Sequence, residues 1–181
     1  MAPRTRGFTL IELMVTIAVL AIMVAIAFPS FQGVIRSNRA ATATNEMIAA
    51  INLARTEALR SNYAFNDPMK REIVLCGSKS GDACEEGTSL AEGWMVARRS
   101  EGEAGSTASY EVLRQAAASA NVLVESSRTR FAFDNRGRLQ GTADATIAIE
   151  PTGCKEGENL RREITITRIG RVKTENKPCA A

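Results

Sequence analysis

"RGFTLIELMVTIAVLAIMVAIAFPSF", residues 6–31, is the stretch on which the reading of this chain turns. One carboxylate, Glu12, stands at the head of a run that otherwise belongs in oil. From Leu13 to Phe28 only Thr16 is polar, and no charge follows until Arg36. At about 1.5 Å per residue, the uncharged span from Leu13 to Ile35 makes a helix of about 35 Å, enough to cross a bilayer. Arg4 and Arg6 precede it, so the positive-inside rule places the N-terminus in the cytoplasm and the rest of the chain outside. A basic start and an apolar core are also the layout of an export signal. Here, however, the small-residue junction, Gly7-Phe8, comes before the apolar run, so cleavage there leaves the helix on the mature chain. A charge inside a bilayer costs about 2.5 to 3.5 kcal/mol on insertion scales, which marks Glu12 as a functional residue that needs a cation.

Beyond Pro29, which is expected to kink the helix without ending it, residues 33–62 turn amphipathic. Met47 and Ile48, Ile51, Ala54 or Arg55, and Ala58 with Leu59 recur at helical spacing, while Glu46, Arg55, Glu57 and Arg60 fall largely off the stripe. Such a face packs on the protein's own sheet. After Asn62 the texture changes to short β-branched and aromatic runs at 71–76, 93–98, 110–114, 121–126, 130–134, 145–150 and 163–172, with Gly, Asn, Asp and Ser between them. In the last of these, Ile164, Ile166 and, after a shift, Ile169 are expected on the inner face. Residues 78–89 and 100–109 read as polar loops, and "FDNRGRL" (133–139) as a turn whose Arg136 and Arg138 extend a basic patch if it folds near the C-terminal tail. One long helix followed by about seven strands makes an α+β fold.

The 181 residues allow one ordinary domain plus a stalk. Without residues 1–7 the 23 basic and 20 acidic side chains become 21 and 20, so any basic footprint is local. There is no histidine, which excludes a conventional Ser-His-Asp triad, and no Gly-rich phosphate loop is present; the chain reads as a non-enzyme without cofactors. Four cysteines in an exported chain imply disulfides, with three connectivities open. Local pairing joins Cys76 to Cys84 and Cys154 to Cys179. A zinc site is disfavoured, because there is neither His nor Cys-x-x-Cys.

From Lys155 to Ala181 seven basic residues (Lys155, Arg161, Arg162, Arg168, Arg171, Lys173, Lys177) stand against four acidic ones. On an alternating strand Arg171 and Lys173 project from one face, about 7 Å apart, a spacing that suits neighbouring phosphates. Charges that guard an edge strand against pairing produce the same pattern.

"GFTLIELMVTIAVLAIMVAIAFPSF" resembles the class III signal of type IV pilins and type II secretion pseudopilins, in Gly7, Phe8, Glu12 and Pro29 and in their spacing. The resemblance implies cleavage after Gly7 by prepilin peptidase, N-methylation of Phe8, and a meeting of Glu12 with the amino group of residue 8 when the helix leaves the inner membrane for a filament. "ARTEA", residues 54–58, is similar to a segment of the GspH and FimT group of minor pilins and pseudopilins. "GRVK", residues 170–173, is similar to the GRxR element of the FimT branch, with Lys173 in place of the second Arg. The resemblance further implies a pilin-like fold divided into a leader (1–7), a transmembrane and filament-core helix (8–35), an amphipathic helix (36–62) and a β-rich domain (63–181). The implied role is a minor pilin at the pilus tip, partnered by major and minor pilins. It would bind the DNA backbone through Arg161, Arg162, Arg168, Arg171 and Lys173 during natural transformation. A type II secretion pseudopilin and a purely structural pilus-priming subunit are the alternatives.

Overall fold

The structure is a computed structural model that describes residues 7–61, 71–101 and 107–179, the side chains of residues 28–30 excepted. A single helix, α1 (Leu10–Arg60), opens it. Its start is capped by Thr9, whose hydroxyl accepts the Glu12 N–H at 3.3 Å, so one donor of the first turn is satisfied by a side chain. The chain divides into two compact units, one up to Arg36 and one from Ser37 onward.

In the first unit the window Leu10–Ala27 has a mean hydropathy of 2.7 and none of it is buried. A helix this apolar and this exposed is built for a non-aqueous surrounding. Helical backbone runs through position 29; the Pro29 side chain and the kink expected there lie outside the described residues.

In the second unit the helix buries a stripe of Ala40, Thr44, Met47, Ile51, Ala54 and Ala58, with Ala50 beside it. Successive steps of three and four residues keep the stripe on one face. Thr44 satisfies its hydroxyl by donating to the Ala40 carbonyl at 2.6 Å. The choice the sequence leaves open at positions 54 and 55 falls on Ala54, and Leu59 is 51% exposed instead of buried, because it lies off the line drawn by positions 47, 51, 54 and 58.

Eight strands come after the helix among the described residues: β1 (Glu72–Gly77), β2 (Gly93–Ser100), β3 (Ser109–Ala117), β4 (Val122–Ser126), β5 (Arg130–Phe133), β6 (Ala145–Pro151), β7 (Arg161–Ile166) and β8 (Val172–Lys177). They form two antiparallel sheets, ordered β3-β2-β1-β5 and β4-β6-β7-β8. The helix stripe, Ile73, Leu75, Val96, Phe131 and Phe133 of the first sheet, and Ile147, Ile149, Ile164 and Ile166 of the second make one core. This is the α+β pilin-like architecture, with the sheet divided in two. Glu57 adds a polar tie from the helix to β2 through Arg98 at 2.8 Å.

One expected strand is corrected. Residues 163–172 are not a single strand but the end of β7, a turn, and the start of β8. Gly170 takes a φ of +78°, a left-handed conformation that suits glycine and reverses the chain. Ile169 consequently sits at the turn and is 68% exposed. The expected polar loop at 100–109 falls in part on residues 102–106, outside the described residues, as does Asn62.

Both cysteine pairs are bonded, Cys76 to Cys84 and Cys154 to Cys179, with Cα atoms 5.6 and 6.0 Å apart. The second bond ties the end of the chain to the loop before β7, where Cys179 N–H also donates to the Glu158 carbonyl at 2.8 Å.

Candidate functional site

Asp134 organises the first component of the site. It is 2% exposed, and a buried carboxylate persists only when charge and hydrogen bonds answer it. Its Oδ1 accepts the N–H groups of Arg136 and Arg138 at 3.0 and 2.8 Å, and its Oδ2 accepts Arg138 Nε at 2.7 Å. The main chain closes the same turn, Gly137 N–H donating to the Asp134 carbonyl at 2.8 Å and Asp134 N–H to the Arg138 carbonyl at 3.0 Å. The result is a rigid turn, residues 134–138, with Arg136 and Arg138 exposed on it.

The β7–β8 turn is the second component. Thr167 N–H donates to the Arg171 carbonyl at 2.9 Å, Gly170 N–H to the Thr167 carbonyl at 2.7 Å, and Arg171 N–H to Thr167 Oγ1 at 3.0 Å. The two turns lock together. Leu139 N–H donates to the Arg168 carbonyl at 3.0 Å, and a Cβ on Gly170 would overlap the Gly137 carbonyl oxygen. Glycine at 170 is therefore required twice, for its φ and for this approach.

Arg55 of α1 is the third component. Its Nε would lie 3.0 Å from a Cβ at either Gly137 or Gly170, so its side chain packs against both turns. The "ARTEA", "FDNRGRL" and "GRVK" segments, far apart in the chain, meet at this point.

Among the described residues Arg136, Arg168 and Arg171 are exposed and make no ion pair. Asp144 Oδ1 accepts the Arg168 main-chain N–H at 2.9 Å. Arg138 is paired with Asp134 at 2.7 Å. The turn face is thus a cationic surface on a rigid support, suited to anionic oxygen atoms.

The strand residues expected to share this role are engaged elsewhere. Arg161 pairs with Glu125 at 2.7 Å and Glu150 at 3.5 Å; hydrogen bonding to Glu125, then its charge, holds the guanidinium above its ordinary pKa. Arg162 donates to Asn176 Oδ1 at 3.3 Å. Lys173 pairs with Glu175, and Lys177 with Glu175 at 3.1 Å and Glu163 at 3.9 Å. Hydrogen bonds from Lys173 and Lys177 hold Glu175 below the usual carboxylate range. Arg171 and Lys173 do not project from one strand, because Arg171 lies in the turn before β8. Sequence reasoning did not select Arg55 or Asp134. The signal for Asp134 was Asp followed by Asn-x-Gly in a turn; for Arg55 there was none beyond its motif.

At the other end of the chain, Phe8 is 82% exposed and Glu12 occupies the first turn of α1, where a carboxylate complements the helix dipole. A cluster of Glu150, Cys154 and Cys179 has ligand atoms within 4.8 Å of one another, but both sulfurs are joined in the disulfide, which removes the thiolates a metal would need.

Residues 3–28 match the prokaryotic N-terminal methylation motif, and residues 43–170 match the family described as type II transport protein GspH. A type IV major fimbrial protein, FimA of Dichelobacter nodosus, is 25% identical over 159 residues, covering 83% of this chain and 95% of that protein. Two crystal structures of the type IV minor pilin FimU of Pseudomonas aeruginosa share the fold, each at a TM-score of 0.51. One is 21% identical and covers 74% of this chain and 90% of its own; the other is 22% identical, with 76% and 89% covered.

Proposed function

The chain belongs to the family of the type II transport protein GspH, behind an N-terminal methylation motif, and on that premise we propose that it is a minor type IV pilin that binds DNA for uptake in natural transformation. Prepilin peptidase cuts after Gly7 and methylates the amino group of Phe8. The apolar helix then holds the subunit in the inner membrane with its β-rich domain in the periplasm. On assembly the Phe8 amino group answers Glu12, on its own or a neighbouring subunit, and the helix joins major and minor pilins in an extracellular filament, with this subunit near the tip.

One observation supports the DNA reading above the others: Arg136, Arg168 and Arg171, on two interlocked turns, lack acidic partners among the described residues. Guanidinium groups spread over a rigid surface suit phosphates, and contacts of that kind position DNA without reading its bases. The family match over residues 43–170 supports a second reading, a minor pseudopilin of a type II secretion system or a priming subunit that binds no DNA.

The test is duplex DNA binding by the full chain in detergent micelles across a range of salt concentrations. Each phosphate contact adds about 0.9 to the slope of log affinity against log salt, so replacing Arg136, Arg168 and Arg171 together by Gln lowers that slope by up to about 2.7. A folded wild-type chain that binds no DNA at low salt overturns the DNA reading and leaves the structural or secretion role.

A further inference from the structure

The β7–β8 turn carries an aliphatic side chain to which phosphate contacts give no role. Ile169 stands at its tip between Arg168 and Arg171, and among the described residues it is the most exposed large hydrophobic side chain of the second unit. Single exposed aliphatic side chains are ordinary on protein surfaces. This one differs in being held out on a fixed support with cations on both sides. Thr167 N–H donates to the Arg171 carbonyl, Gly170 N–H to the Thr167 carbonyl, Leu139 N–H to the Arg168 carbonyl and Arg168 N–H to Asp144 Oδ1. Gly170 is buried against the Gly137 carbonyl, whereas Arg168 and Ile169 are exposed. Ile164 and Ile166 of the adjoining strand fill the core, and the turn holds Ile169 away from it.

Leaving such a side chain in water forgoes the gain of burying it. Phosphate oxygens cannot supply that gain, because they are polar; the apolar surface of a duplex lies in its grooves and between its bases. Minor-groove binders combine arginine contacts with an aliphatic wedge that enters between base steps and partly unstacks them. A rigid tip suits that task, since no loop has to be ordered as it enters. We infer that Ile169 is such a wedge, entering the minor groove of duplex DNA between adjacent base pairs while Arg168 and Arg171 reach phosphates to either side. The inference rests on the DNA reading above and deepens it, naming the duplex as the ligand and adding a contact that carries no charge. An isoleucine offers no hydrogen bond to a base, so the contact tolerates any sequence.

Charge and wedge separate in a salt titration. Ile169→Ser removes the apolar contact and no charge. Measured with the full chain in detergent micelles and a duplex oligonucleotide, its affinity falls about ten-fold at every salt concentration, with the wild-type salt slope. Its thermal midpoint stays close to wild type, because the site is exposed. Ile169→Leu, a second aliphatic wedge, stays within a few-fold of wild-type affinity. The duplex carries, at several positions, a fluorescent adenine analogue whose emission rises when its stack is broken; emission rises on binding the wild-type chain and stays flat at saturation with Ile169→Ser. A folded Ile169→Ser with wild-type affinity, or wild-type binding without a rise in emission, overturns the inference and leaves the DNA reading intact. Absence of binding by the wild-type chain overturns both. If Ile169→Ser does not fold, emission from the wild-type complex decides: a rise supports the wedge and its absence overturns it.

Discussion

On β7 and β8 every basic side chain has a partner, whereas on the two turns that join the strands around Gly137 and Gly170 three arginines have none among the described residues. The register explains the strand half. Glu163 lies directly opposite Glu175, an arrangement of like charges that would repel. Lys173 and Lys177 gather round that pair and are neutralised by it. In a ladder the neighbours of each side chain are fixed about 4.5 to 5.5 Å away, so charges placed there meet one another. A turn has no opposite strand to supply such neighbours, and Arg136, Arg168 and Arg171 keep their charge for a partner outside the fold, while Arg138 is answered within its own turn by Asp134. Basic composition alone is therefore a poor guide to a binding surface; the geometry under each charge decides whether it is available.

The largest effect in this comparison is expected from Asp134→Ala. It removes the acceptor for two main-chain N–H groups and a guanidinium at a buried position, a loss of about 3 kcal/mol. The thermal midpoint of a chain of this size then falls by roughly 6 to 12 °C, and calorimetry of the purified chain checks it. Glu175→Ala, on the strand side, moves the midpoint little. Equal shifts from the two variants would mean that the turns are no more rigidly supported than the strand surface.

Gly170→Ala comes next, at about 2 kcal/mol. The left-handed φ costs an L-residue about 1 to 2 kcal/mol, and the added methyl overlaps the Gly137 carbonyl. Because the two turns are pushed apart, DNA affinity falls in the same variant without any charge being removed. An unchanged thermal midpoint with normal binding would show that the turns are not interlocked in solution.

The smallest effect concerns pH. Glu175 is held below the usual carboxylate range by Lys173 and Lys177. Its favourable contribution to stability is complete above the carboxylate pKa of the unfolded chain and is lost as pH falls through the lowered folded value. Glu175→Gln frees Lys173 at neutral pH and strengthens DNA binding a few-fold. As pH falls through the folded pKa, wild-type Glu175 protonates as well, and the difference between the two proteins closes. A gap that stays constant into acid would mean that Glu175 does not control Lys173.

Much of the fold is legible in the residues. Most strand positions can be read from runs such as "REIVLC" and "ATIAIE", and both disulfides join the cysteines that spacing pairs locally. The run at 163–172 misleads because its alternation continues through a lone glycine, and nothing in the pattern distinguishes a Gly that bends a strand from one that ends it. The site is less legible. Arg161 looks available in the sequence because its partners, Glu125 and Glu150, lie on other strands. Arg55 looks like the edge of an amphipathic stripe, since the turns it packs against are far away in the chain.

The sequence by itself determined the apolar helix with Glu12 at its head, the α+β order of elements and the presence of disulfides, because these depend on hydrophobic periodicity and cysteine count. Tertiary structure alone decided which cations remain available. That depends on cross-strand register, on the left-handed backbone at Gly170 and on the meeting of three distant segments at Arg55. A charge is neutralised or left open by what lies within a few ångströms of it, and only folding sets that distance.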